Sequence, residues 1–115
     1  MHFDEYQTQA RRTLAAALNP RDQLAMTALG LVGEAGECSE AIKKHLFHDH
    51  PLDREALARE LGDVLWYVAM LAASCDLSLD AIAAGNLAKL QARYPQGFSG
   101  QASRSRDEYK AGTTT

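Results

Sequence analysis

Apolar residues recur at helical spacing along nearly the whole chain. Leu24, Ala28, Leu31, Ala35, Cys38, Ile42 and Leu46 alternate steps of three and four, which predicts an amphipathic helix from about Asp22 to Leu46. Leu57, Leu61, Val64, Val68, Leu71 and Cys75 repeat the pattern in a helix that Asp53 can cap and that reaches about Cys75. Before them, residues from about Asp4 to Leu18 are rich in Gln, Arg, Ala and Leu and read as a helix stopped by Asn19-Pro20. After the turn Asp76-Leu-Ser78, Ser78 can cap a fourth helix ending near Tyr94-Pro95. No convincing strand signal or internal repeat interrupts this series. The fold expected is all-α, an antiparallel four-helix bundle over residues 1–95. Residues 96–115 are polar, small and glycine-broken, and read as an irregular C-terminal loop or tail with frayed final residues. Within that tail Arg104, Arg106 and Lys110 form a candidate arm toward a phosphate or a neighbouring subunit.

Composition narrows the class. The 115 residues are 46% apolar and 23% charged, ordinary for one soluble domain. The longest apolar runs fall short of a membrane span and the N-terminus lacks a signal-peptide pattern, so neither membrane nor export is expected. A net charge of −3 gives no reason to expect nucleic-acid binding. Cys38 and Cys75 are too few for a disulfide framework, which makes a reducing cytoplasm the default and core packing their expected role.

The candidate chemistry lies in two acid pairs. Glu34 and Glu37 fall inside Leu31-Val-Gly-Glu-Ala-Gly-Glu-Cys-Ser-Glu40, and Glu60 and Asp63 inside Glu60-Leu-Gly-Asp-Val-Leu-Trp-Tyr67. Spacing of i, i+3 puts both members of a pair on one helix face. On the helical wheel each pair flanks its apolar stripe, so antiparallel packing of the two helices can bring all four acids to one edge of the seam. Acids in so apolar a setting need neutralising, and a hard divalent cation, Mg²⁺ or Mn²⁺, is the economical partner. Gly30, Gly33, Gly36 and Gly62 weaken their helices and point to close backbone approach or room for a ligand. Trp66 and Met70 share a face away from the main stripe, which a subunit interface would cover. His45, His48 and His50 gather at a turn and read as incidental loop histidines.

Gly33-Glu-Ala-Gly-Glu37 followed by Glu60-Leu-Gly-Asp-Val-Leu-Trp-Tyr67 resembles the MazG-like branch of the all-α nucleoside triphosphate pyrophosphohydrolases, whose signature is E-E-x-x-E, an interval, then E-x-x-D. Asn86 to Pro95 is similar to that family's last-helix segment. The resemblance implies Mg²⁺-dependent hydrolysis of nucleoside triphosphates, often non-standard or surplus ones, to monophosphate and pyrophosphate by a dimer or tetramer. Glu34, Glu37, Glu60 and Asp63 would be the metal ligands and catalytic acids. The first glutamate of the pattern is Gly33 here, so any role that acid has in relatives must pass to another group. Lys44, Tyr67, Asn86, Lys89 and Arg93 are the expected substrate contacts, with Lys44 and the α-helical stripe Asn86/Lys89/Arg93 set to meet phosphate charge. Two other classes compete: a ferritin-like di-metal carboxylate bundle, for which an inward Glu-x-x-His is missing, and a non-catalytic helical oligomerisation module, which would leave the acids unexplained.

Overall fold

A computed structural model of the chain describes residues 1–105. It is all-α, with five helices and no strand among those residues: α1 (Phe3–Arg11), α2 (Pro20–Phe47), α3 (Arg54–Ser74), α4 (Leu79–Arg93) and α5 (Gly100–Ser105). None of these helices is long and apolar enough to cross a membrane by itself. The chain forms two compact units, the first spanning Met1–Leu79 and the second beginning at Asp80. The boundary expected near Pro95 therefore falls inside the second unit.

In the first unit α2 packs along α3, and α1 lies on another side of α3. Local signals set the helix ends. Asn19 accepts a hydrogen bond from the Asp22 amide at 2.8 Å and Pro20 takes the first helical position, so Asn19-Pro20 starts α2. Asp53 accepts from the Ala56 amide at 3.0 Å to begin α3, as its sequence predicts. Both long helices close through an aspartate in the left-handed region, Asp49 (φ 58°) and Asp76 (φ 57°). The amides of His50 and Leu77, one residue further on, bond back to Lys44 and Ala72 at 3.1 and 2.8 Å, the wrap that usually recruits glycine.

The helix expected to reach Leu18 ends at Arg11 instead. The amides of Arg12, Thr13 and Leu14 bond three residues back, and the Thr13 hydroxyl donates to the Ala10 carbonyl at 2.7 Å while accepting from Trp66 Nε1 at 2.7 Å. That long-range bond fixes a turn where local propensity favours continuing.

It also corrects the expectation for Trp66 and Met70. Met70 is fully buried, at the centre of a small core with Ala10, Ala69 and Leu79, onto which Tyr6, Leu14, Trp66 and Val68 pack. The chain's own α1 covers this face. Around it Gln7 donates to the carbonyls of Ala69 and Leu77 at 3.1 and 3.0 Å and accepts from the Leu79 amide at 3.2 Å. Ser78 donates to the Asp4 carboxylate at 2.9 Å.

The seam between α2 and α3 is rotated from the expected stripes. Ala28 and Ala35 are exposed, whereas Thr27 is buried and Gly30, Leu31, Glu34, Cys38 and Ala41 are half-buried. On α3 Leu61 is 53% exposed, and Leu57, Glu60, Val64, Tyr67 and Leu71 are half-buried. Gly30 explains the rotation: a Cβ there would overlap the Tyr67 ring, so the helices approach through a glycine and an aromatic. Cys75, expected in the core, is exposed at the end of α3, and both cysteines are free.

The second unit holds α4 and, after Pro95, the short α5. Ser99 caps α5 by accepting from the Ala102 amide at 3.0 Å, so part of the stretch expected to be irregular is helical. Tyr94 and Phe98 bring their rings to 5.3 Å across the intervening turn. Arg106 and Lys110 of the candidate arm lie outside the described residues.

Candidate metal centre

Glu34 comes from the middle of α2, and Glu60 and Asp63 from the N-terminal half of α3. Antiparallel neighbours bring these positions level once Gly30 sits against Tyr67. One carboxylate oxygen from each lies within 4.8 Å of the others. Glu34 and Glu60 are half-buried and Asp63 is exposed, so the cluster sits at the edge of the seam and opens to solvent.

Its electrostatics are those of like charges held together. The Glu34 carboxyl stands where it can hydrogen-bond the Glu60 carboxyl when a proton is present. This bond, then partial burial and the charges of Asp63, Glu60 and Glu37, raise the Glu34 pKa above its ordinary value of 4.5. The four acids named from sequence are thus electrostatic neighbours. The tightest group has three of them, and Glu37 stands just outside it.

Three oxygen donors from two rigid helices, open on one side and mutually repelling, fit a hard divalent cation that keeps some of its waters. Among the described residues this is the one group of acids, histidines or cysteines close enough to hold a metal ion. No histidine joins it, unlike the Glu-x-x-His of di-iron bundles. His45 Nδ1 instead donates to the His50 carbonyl oxygen at 2.8 Å, a loop-closing role.

The other expected contacts are placed as follows. Tyr67 packs its ring on Gly30 and stands edge-on to Trp66, with centroids 4.9 Å apart. Lys44 pairs with Glu40 at 3.9 Å, beside a Lys43–Glu40 bond of 3.2 Å. These lysines, through a Lys43 hydrogen bond first, hold the Glu40 carboxyl below its ordinary range. Lys44 also lines a depression of about 260 Å³ between α2 and α3, together with Glu37, Glu60 and the Pro51–Leu52 loop. Asn86, Lys89 and Arg93 keep their i, i+3, i+7 register on α4 in the second unit, where the Arg93 guanidinium lies 5.7 Å from the Tyr94 ring centroid.

Tyr6 was not foreseen. Burial, and after it the charge of Asp63, raises its pKa, which brings α1 to the margin of the acid cluster. Its spacing from Ala10 marks a core-facing position, but nothing in the sequence aligns α1 with Asp63.

Residues 23–98, which contain all four acids, match the model of the MazG nucleotide pyrophosphohydrolase domain. The Gene 37 protein of Mycobacterium phage L5 is 40% identical over 105 residues, covering 84% of this chain and 92% of that protein. No solved structure matches.

Proposed function

Since the chain belongs to the MazG nucleotide pyrophosphohydrolase domain family, we propose that it hydrolyses nucleoside triphosphates, non-standard or surplus ones in particular, to monophosphate and pyrophosphate with Mg²⁺ as cofactor and Mn²⁺ as a substitute. The observation that carries this reading is the meeting of Glu34, Glu60 and Asp63, with Glu37 adjacent. Such a cation, when bound, offsets phosphate charge and makes water a better nucleophile. Glu34, Glu60 and Asp63 hold it, while Glu37 stands next to the group where it can accept a proton or complete the ligand set. Phosphoryl transfer of this kind needs positioning and charge neutralisation more than covalent catalysis, and two packed helices supply a stiff frame for both.

The active form is a homo-oligomer, a dimer or tetramer. The support is no longer Trp66 and Met70 but α2, where Leu29 and Val32 are each 72% exposed and Leu46 and Phe47 are exposed further along. Two free thiols suit a reducing cytoplasm.

Hydrolysis in ¹⁸O-labelled water tests the reaction. Label in the nucleoside monophosphate, with unlabelled pyrophosphate, is the expected result. A nucleoside diphosphate with labelled orthophosphate would mean attack at the γ-phosphorus and would overturn the assignment.

A further inference from the structure

The apolar stripe that predicts a core face on α2 is largely left in solvent. Leu24, Ala28, Ala35, Ile42 and Leu46 are all exposed, and of the 28 residues of this helix only Thr27 is buried. On α3 the predicted core residue Leu61 is exposed too, and so is Leu65 one turn on. At 100° per residue these positions fall on one flank of the α2–α3 pair, away from Glu37 and Asp63. Leu29 and Val32 border it on the outer side of α2. From Leu24 to Leu46 the stripe holds no charged residue, the depletion that marks the centre of an interface.

We propose that a second copy of the chain packs on this flank, helix pair on helix pair, across a two-fold axis. This interface rests on the homo-oligomer reading given above and is independent of the assigned reaction. Its size suits a second copy. The stripe from Leu24 to Leu46 runs about 33 Å along α2, and two helices side by side are about 20 Å wide. The footprint, on the order of 650 Å², approaches the ~800 Å² per partner of a stable interface. A lone helix of another protein would cover half of such a face. A copy related by a two-fold axis sets two helices on two and closes the contact on itself. The metal centre keeps its open side, because the acids lie on the other flank.

Light scattering of the full-length protein provides the test. The wild type should have two or four times the 12.5 kDa mass of one chain. Ile42→Glu and Leu61→Glu each put an unpaired carboxylate into the contact. Either should raise the dissociation constant about a hundredfold or more and halve the mass at micromolar concentration, with helicity checked by circular dichroism. Thr8→Glu, at an exposed position on α1, should leave the mass unchanged. Should both interface variants fail to fold, the wild-type melting temperature decides. It should rise with protein concentration, and a value independent of concentration would overturn the proposal. A monomeric wild type would overturn this interface and the homo-oligomer together. An oligomer unmoved by both variants, or broken equally by Thr8→Glu, would overturn this interface and leave the homo-oligomer standing.

Discussion

Helix α3 carries two contrasting faces. Toward α1, polar groups are matched pairwise: Gln7 with Ala69, Leu77 and Leu79, Ser78 with Asp4, and Trp66 with Thr13. They enclose Met70, which is wholly buried. Toward α2, less than two turns away, Glu60 and Asp63 meet Glu34 acid against acid. The first face is what a chain does when polar groups serve only the fold. The second raises the energy of the cation-free molecule, and a group held at such a cost points to a ligand that relieves it.

Removing the charges should have the largest effect. Asp63→Asn or Glu60→Gln is expected to lower Mg²⁺-dependent hydrolysis about a hundredfold or more, while circular dichroism shows the helices intact. Loss of activity with loss of helicity would mean that the acids serve the fold after all.

The opposite face should respond the other way. Met70→Ala removes a buried side chain and is expected to cost about 2–5 kcal/mol, read in urea unfolding, with little change in metal affinity for the folded fraction. A fall in metal affinity as large as that of Asp63→Asn would erase the distinction between the faces.

Glycine substitutions sharpen the seam between them. Gly30→Ala forces the Tyr67 ring to move and should destabilise the protein. Gly33→Ala enters open space in a helix interior and should stabilise it by up to about 1 kcal/mol. Thermal unfolding of both variants checks the sign, and equal effects would contradict the rotation of α2.

The pH dependence of the cation-free protein is the smallest effect. A carboxyl whose pKa is raised on folding binds its proton more tightly in the folded state. Its folded form is favoured below the ordinary value of 4.5 and loses that advantage as pH climbs through the raised value. Melting temperature should fall across that window, and Glu34→Gln should flatten the fall.

These contrasts show which parts of the molecule were legible in the sequence. Helix starts were written locally, in Asn19-Pro20 and Asp53, and so was the i, i+3 pairing of the acids. The rotation of α2 was not: Ala28 and Ala35 weigh too little in an apolar stripe to fix its direction. The glycine that decides it acts through Tyr67 on another helix. The early end of α1 and the partial burial of Trp66 share one cause, a hydrogen bond spanning 53 residues, which no local pattern encodes. Placement of Glu34 within the seam and of Glu37 outside the tightest group both follow from that rotation. They became visible only with the helices packed.

The central claim is that the acids at the α2–α3 seam are kept together to hold a divalent cation. Thermal unfolding with and without Mg²⁺ or Mn²⁺, on the wild type and on Asp63→Asn, tests it most directly. The wild type should melt at a clearly higher temperature when the cation is present. Asp63→Asn should melt higher than the wild type without cation and gain little from adding it. A wild-type melting temperature indifferent to both cations, or a variant that gains as much as the wild type, would contradict the claim.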